Sequence, residues 1–321
     1  MSLSEFKLIN KYFKDLTEVQ NDVICGIGDD AAIINIPAHK ELVVSVDTLV
    51  NGVHFLPATD PYDIGFKSLA VNLSDMAAMA AQPRWATLSL TMPDNDAAWL
   101  ESFSKGFSDL AQQYSVALVG GDLTHGPLTI TIQILGLVAT GAAIKRSGAR
   151  PGDAIYVSGC LGAAALALKV LNKEIQGVST LSASCNRHLL QPVPRIDIGN
   201  NLQGIATSAI DISDGLIADL GHILKASSVG ADIELDTVPL CKELNKITDQ
   251  DLVWQLSLCS GDDYELCFTV PSSRKDELDS KLSAVDCPIS CIGVIQEGSV
   301  LRCLLADGSE YDIKTAGYRH F

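Results

Sequence analysis

The chain has 321 residues, 47% of them hydrophobic and 19% charged, and a formal net charge of −16 from 39 acidic and 23 basic residues. That length suits about two domains, the composition excludes disordered and collagen-like classes, and the acidity argues against nucleic acid or an anionic membrane as partner. No apolar run approaches the ~18 residues of a membrane span, residues 1–10 lack an export-signal layout, and the nine cysteines form no Cys-x-x-Cys pair. A cytoplasmic protein with reduced, mostly buried thiols is expected.

In chain order, residues 1–20 read as a helix and lead-in. Ala31 to Ile36 and Leu42 to Val46 read as buried strands, too short and too β-branched for helices. A helix runs from Asp60-Pro61 to about Ala81 and closes at Gln82-Pro83. Ala86 to Met92 alternates as a strand, Asp94 to Tyr114 reads as a helix, and Val116 to Val119 and Leu128 to Ala139 return to strand. The turn formers of Lys145 to Asp153 mark the boundary between domains 1–148 and 149–321. Beyond it lie a strand at Ile155 to Ser158, a helix at Gly162 to Leu171, and a strand at Ala206 to Ile212 leading into a helix to about Ser227. Late strands fall at Tyr264 to Val270, Cys291 to Ile295 and Val300 to Leu305. Strands exceed what a strict βαβ alternation needs, so the expected class is α+β, with two mixed α/β domains rather than one doubly wound sheet.

Aspartates recur at strand ends: Asp47, Asp122 and Asp211 with Asp214, beside the acid pairs Asp29-Asp30 and Asp262-Asp263. One such residue is an ordinary turn or cap, but strand ends are where scaffolds present functional groups. Asp75 shares a helix stripe with Ser68 and Asn72, opposite Phe66, Leu69, Leu73 and Met76, which predicts a partly enclosed carboxylate. Clustered carboxylates repel, and a hard divalent cation with oxygen ligands resolves this; Mg²⁺ takes one or two carboxylates plus substrate phosphates. Mg-nucleotide chemistry follows. No P-loop, kinase or zinc spacing is present. Gly26-Ile27-Gly28-Asp29-Asp30-Ala31 fits the dinucleotide pattern, but β-type residues follow it where a helix is required. His222, three residues from Asp219 on a helix, reads as half of a surface pair.

These segments resemble the thiamine-monophosphate kinase family, within the aminoimidazole-ribonucleotide-synthetase-like superfamily. The resemblance rests on GIGDDAA, SVDTLVNGVHF, KSLAVNLSDMAAMAAQP, VGGDLTHGPL, KRSGARPGD, AIDISDGLIADLGHI, SGDDYELCF and the terminal GYRHF, in order along the whole chain. It implies ATP-dependent, Mg²⁺-assisted in-line transfer of a phosphoryl group to thiamine monophosphate, giving thiamine diphosphate. It also implies a homodimer in which the N-terminal domains share a β-barrel. Asp30, Ser45, Val46, Asp47, Asp75, Asp122, Asp211 and Asp214 match metal positions, Val46 through its carbonyl, and Asp47, Asp75 and Asp122 are the expected core of catalysis. Gly121, Asp122, Arg146 and Ser213 match nucleotide contacts; His54, Asp262 and Tyr318 match thiamine contacts. Val46 stands where threonine is usual, Asp262 where glutamate is, Leu123-Thr124-His125 where Thr-Thr-Arg is common, and Arg319 where aspartate is. The alternatives are a superfamily relative acting as a selenophosphate or aminoimidazole ribonucleotide synthetase, and a non-enzymatic divalent-ion module.

Overall fold

A computed structural model describes residues 5–18, 20–175, 183–313 and 317–318; Arg319 lies outside the described residues. The chain divides into two compact units, one holding the chain up to Met76 with Ala81–Gly141, the other holding Ala77–Ala80 with the chain from Ala142 onward. No described helix is long and apolar enough to cross a membrane.

The first unit runs α1 (Glu5–Tyr12), β1 (Val23–Cys25), β2 (Ile33–Ile34), β3 (Lys40–Val50), α2 (Pro61–Ala78, whose last two residues fall in the other unit), β4 (Gln82–Met92), α3 (Ala97–Gln113), β5 (Ala117–His125) and β6 (Thr129–Ala139). Four strands form a sheet in the order β3-β6-β4-β5, antiparallel except for β4 with β5. Asp96 caps α3, accepting from the backbone N–H of Ala98 and Trp99, which offsets the orphan donors of a helix start. Three expectations need correction. The stretch Ala31 to Ile36 is not a buried strand; only Ile33–Ile34 pairs, in a two-stranded ribbon with β1, and Ile33 and Ile36 are exposed. Likewise β3 is an edge strand with Leu42, Val44 and Val46 exposed. Finally, the helix expected to reach about Ala81 and close at Gln82-Pro83 ends at Ala78, and Gln82-Pro83 opens β4, with a register shift at Pro83, a residue that cannot donate to a ladder.

The second unit contains β7 (Asp153–Ser158), α4 (Ala163–Leu171), α5 (Ala183–Leu190), α6 (Ile196–Leu202), β8 (Ser208–Asp211), α7 (Leu216–Ser227), β9 (Gly230–Glu234), α8 (Gln250–Leu258), β10 (Leu266–Pro271), α9 (Lys275–Leu282), β11 (Ile289–Gln296) and β12 (Leu301–Leu304). Its six-stranded sheet has the order β12-β9-β11-β7-β10-β8, and only β12 with β9 is parallel. This is the mixed α/β arrangement expected, not a doubly wound parallel sheet. Ile155, Val157, Cys267, Ile292 and Ile295 from its strands pack with Leu166 of α4 and Leu216, Leu220 and Ile223 of α7 in one buried core. All nine cysteines are free; Cys185, Cys241, Cys267 and Cys303 are buried, Cys291 is exposed and the other four are half-buried. The thiols are therefore less uniformly buried than expected.

Candidate active site

In the first unit, the side chains of Ser45 and Asp47 leave β3 on the same face, since they are two residues apart on a strand. Asp75, half-buried on α2, meets them there: the Ser45 hydroxyl donates to Asp75 Oδ2 at 2.5 Å. Partial enclosure of Asp75 is as expected, although its helix has no solvated stripe. Ser68 and Asn72 are buried as well and bond back to the carbonyls of Ile64 and Ser68. Burial first, and the neighbouring Asp75 carboxylate second, push Asp47 up to about 6. Two carboxylates and a hydroxyl thus converge where like charges oppose each other. The donor set is oxygen only, which suits Mg²⁺.

Asp122 occupies a different place. Pairing puts Asp47 in a row with Ile132, Leu88 and Gly121 across the sheet, and Asp122 in the next row with Ser89, Thr131 and Thr48. Gly121 has a φ of +156°, so regular alternation is broken there, and Asp122 lines a pocket with Leu88, Leu90 and Leu123. The two aspartates also sit on opposite edge strands, three strand spacings or roughly 14 Å apart along the sheet. Gly121 is required here, because a Cβ would lie 1.9 Å from the Leu88 carbonyl oxygen. Ile27, from the loop carrying Asp29 and Asp30, lines a pocket of about 40 Å³ with Gly120, Gly121 and Asp122. Asp30 is exposed on that loop, and its N–H donates to Asp29. The side chain of Val46 leaves β3 on the face opposite Ser45, so only its backbone could serve the Ser45 side. His54 follows β3 in a turn, with Nδ1 accepting the Val50 N–H at 3.0 Å. Among the described residues, no three His, Cys, Asp or Glu side chains stand together at metal-ligating distances.

In the second unit, Asp211 ends β8 and is buried, and Ser213 and Asp214 follow in the turn into α7. Arg146 is exposed, on a segment held to β8 by the Ala209 N–H on the Lys145 carbonyl. Asp262 and Tyr264 both adopt left-handed backbone, with φ of +72° and +49°, and the Tyr264 hydroxyl donates to Asp262 Oδ1 at 3.1 Å. Such conformations cost on the order of 1–3 kcal/mol each and persist only when the surroundings enforce them. The segment is held by the Asp262 N–H on the Ser213 carbonyl, by the Tyr264 N–H on the Ile212 carbonyl and by Asp263 between them, whose two oxygens accept the Gly162 N–H at the start of α4. Complete burial drives its carboxyl well above the usual range. Tyr318 is about half exposed, with its backbone N–H on the Asp214 carbonyl.

Asp219 is no surface partner of His222: it is buried while His222 is exposed. Its carboxylate accepts from Asp214 and Gly215. Burial, against the pull of those donors, lifts it to about 7. An acid four residues after a glycine that precedes a helix was the available signal, since such acids reach back to helix-start N–H groups.

Comparison with known proteins defines the class. Residues 28–138 match the family model "AIR synthase related protein, N-terminal domain" and residues 150–305 match "AIR synthase related protein, C-terminal domain". Within that class, the chain is 48% identical over 325 residues to thiamine-monophosphate kinase of Escherichia coli O157:H7, covering 100% of this chain and 99% of that one. The crystal structure of thiamine-monophosphate kinase from Stenotrophomonas maltophilia K279a is 42% identical, with a TM-score of 0.86, over 97% of this chain and 99% of that one. A further structure, AaThiL complexed with AMPPCP and TMP, is 30% identical with a TM-score of 0.77 over 89% of each chain. This chain belongs to the thiamine-monophosphate kinase family of AIR synthase related proteins.

Proposed function

We propose that the chain transfers the terminal phosphoryl group of ATP to thiamine monophosphate, yielding thiamine diphosphate and ADP, as a cytoplasmic enzyme. Full-length identity of 48% to a thiamine-monophosphate kinase carries this reading, supported by a relative whose structure is complexed with AMPPCP and TMP. The acceptor oxygen of a phosphate monoester is already anionic, so the reaction needs no general base; it needs two polyanions held in line. Ser45, Asp47 and Asp75 are the residues proposed to hold Mg²⁺, with Asp30, Asp122, Asp211, Asp214 and the Val46 carbonyl as further positions. Bound there, the ion would supply positive charge against the phosphate oxygens. Gly121, Arg146 and Ser213 contact nucleotide in this reading, and His54, Asp262 and Tyr318 contact the thiamine moiety.

The proposed assembly is a homodimer through the first unit's sheet. An exposed edge strand is an association hazard unless covered, and β3 exposes Leu42, Val44 and Val46 together on one face. Incubation with ATP, Mg²⁺ and thiamine monophosphate should form thiamine diphosphate with stoichiometric ADP. Absence of that product from folded protein refutes the assignment, and a phosphoenzyme trapped with labelled ATP refutes direct transfer.

A further inference from the structure

The turn Ile212 to Gly215 between β8 and α7 is gripped from two sides. On one side Asp219, one turn into α7 and 3% exposed, uses the single oxygen Oδ2 to accept the N–H of Asp214 at 3.0 Å and of Gly215 at 3.1 Å. On the other side the Ser213 carbonyl accepts the Asp262 N–H at 2.9 Å, and the Asp214 carbonyl accepts the Tyr318 N–H at 3.1 Å. The partners therefore come in matched pairs. The peptide plane joining Ser213 to Asp214 runs from Asp219 to Asp262; the plane joining Asp214 to Gly215 runs from Asp219 to Tyr318. A peptide group is rigid, so rotating either plane breaks a bond at both ends. Hydrogen bonds in series also polarise one another. Gly261 leaves no slack, since a Cβ there would lie 2.1 Å from the Ser213 carbonyl oxygen.

We propose that Asp219 is a positioning residue that joins the nucleotide and metal side (Ser213 as nucleotide contact, Asp214 as metal position) and the thiamine side (Asp262, Tyr318) into one backbone lattice, so that occupancy of either side tightens the other. This rests on the roles proposed above for those four residues. Ordering one side lowers the cost of ordering the other, which is positive coupling without a large movement. By linkage the coupling is reciprocal, and factors of about 5 to 150 are usual.

The test measures KM for ATP and for thiamine monophosphate, and the Kd of AMPPCP with and without thiamine monophosphate. Asp219→Leu removes the acceptor and should raise both KM values by about tenfold and reduce the coupling factor to about one. Asp219→Asn keeps an oxygen able to take both N–H groups and should stay close to the parent. A purely structural role would lower the melting temperature without abolishing coupling. A folded Asp219→Leu protein with both KM values within about twofold of the parent overturns the proposal. Should that variant fail to fold, amide exchange in the parent decides: thiamine monophosphate alone must slow exchange at Asp214 and Gly215, and unchanged exchange overturns the proposal. Ser213→Ala and Asp262→Ala separate the two layers. If neither weakens its assigned ligand, those roles fall and the coupling falls with them; if both do while Asp219→Leu is silent, the coupling alone falls.

Discussion

Asp47 and Asp75 show how a site can be recognised from its discomfort. Asp47 is held at about 6 by burial and, second, by the Asp75 carboxylate beside it. Asp75→Asn removes the smaller of the two causes. Asp47 should then titrate lower, yet stay above the ordinary carboxylate range, as NMR of its side-chain carboxyl would show. The same substitution should lower kcat by orders of magnitude with the fold intact; near-normal turnover at saturating Mg²⁺ would remove Asp75 from the machinery. Asp263 allows a second measurement. Its carboxyl is raised in the folded protein, so the folded state retains a proton that the unfolded state releases above about pH 4. Its contribution is complete below that pH and is lost as pH rises toward the folded value. Asp263→Asn should flatten the stability profile above about pH 4 in urea titrations; an unchanged slope contradicts the assignment. Asp75 was legible beforehand because no charged neighbour could share a solvated face with it, whereas Asp219 was not. A helical wheel reports which way a side chain leaves the axis, and not that its oxygen returns to the backbone of the preceding turn.

Among the elements, α2, α3 and β6 declare themselves by long, regular patterns. The elements β9, α8 and α9 carry no comparable signal in the sequence. β9 starts on a glycine and spans five residues, α8 is interrupted by polar residues, and α9 is mostly charged with Leu278 and Leu282 buried. Tertiary packing, not local preference, decides such segments. The start of α6 and strand β10 are joined by one such tertiary contact. Glu265 is buried, and it accepts Arg195 through both carboxylate oxygens and Ser158 at 2.6 Å. Deleting one member of a buried pair strands the other, at a cost of about 3–5 kcal/mol. Arg195→Leu should lose stability of that order in denaturant titration; a loss below about 1 kcal/mol would class the pair with weak surface bridges.

For the whole molecule, the sequence pattern conveyed two mixed α/β halves correctly but not how the first unit's sheet distributes its acids. Strand order cannot be read from strand content, and only the order β3-β6-β4-β5 reveals that Asp47 and Asp122 occupy opposite edges. The exposed row on β3 makes association testable. Val44→Glu places a charge on the open face without touching Ser45 or Asp47, and sedimentation should then report a smaller species than the parent. An unchanged sedimentation coefficient would move the contact elsewhere.

The alternation of β3 also constrains how this family can drift. Odd-numbered positions from Val43 to Leu49 serve chemistry and core, while even-numbered ones from Leu42 to Thr48 look outward, so inserting or deleting a single residue between Lys40 and Val50 would swap the two sets wholesale. Length changes in homologous genes should therefore gather in the flanking turns around residues 35–39 and 51–58, leaving an eleven-residue stretch whose spelling can vary but whose count cannot.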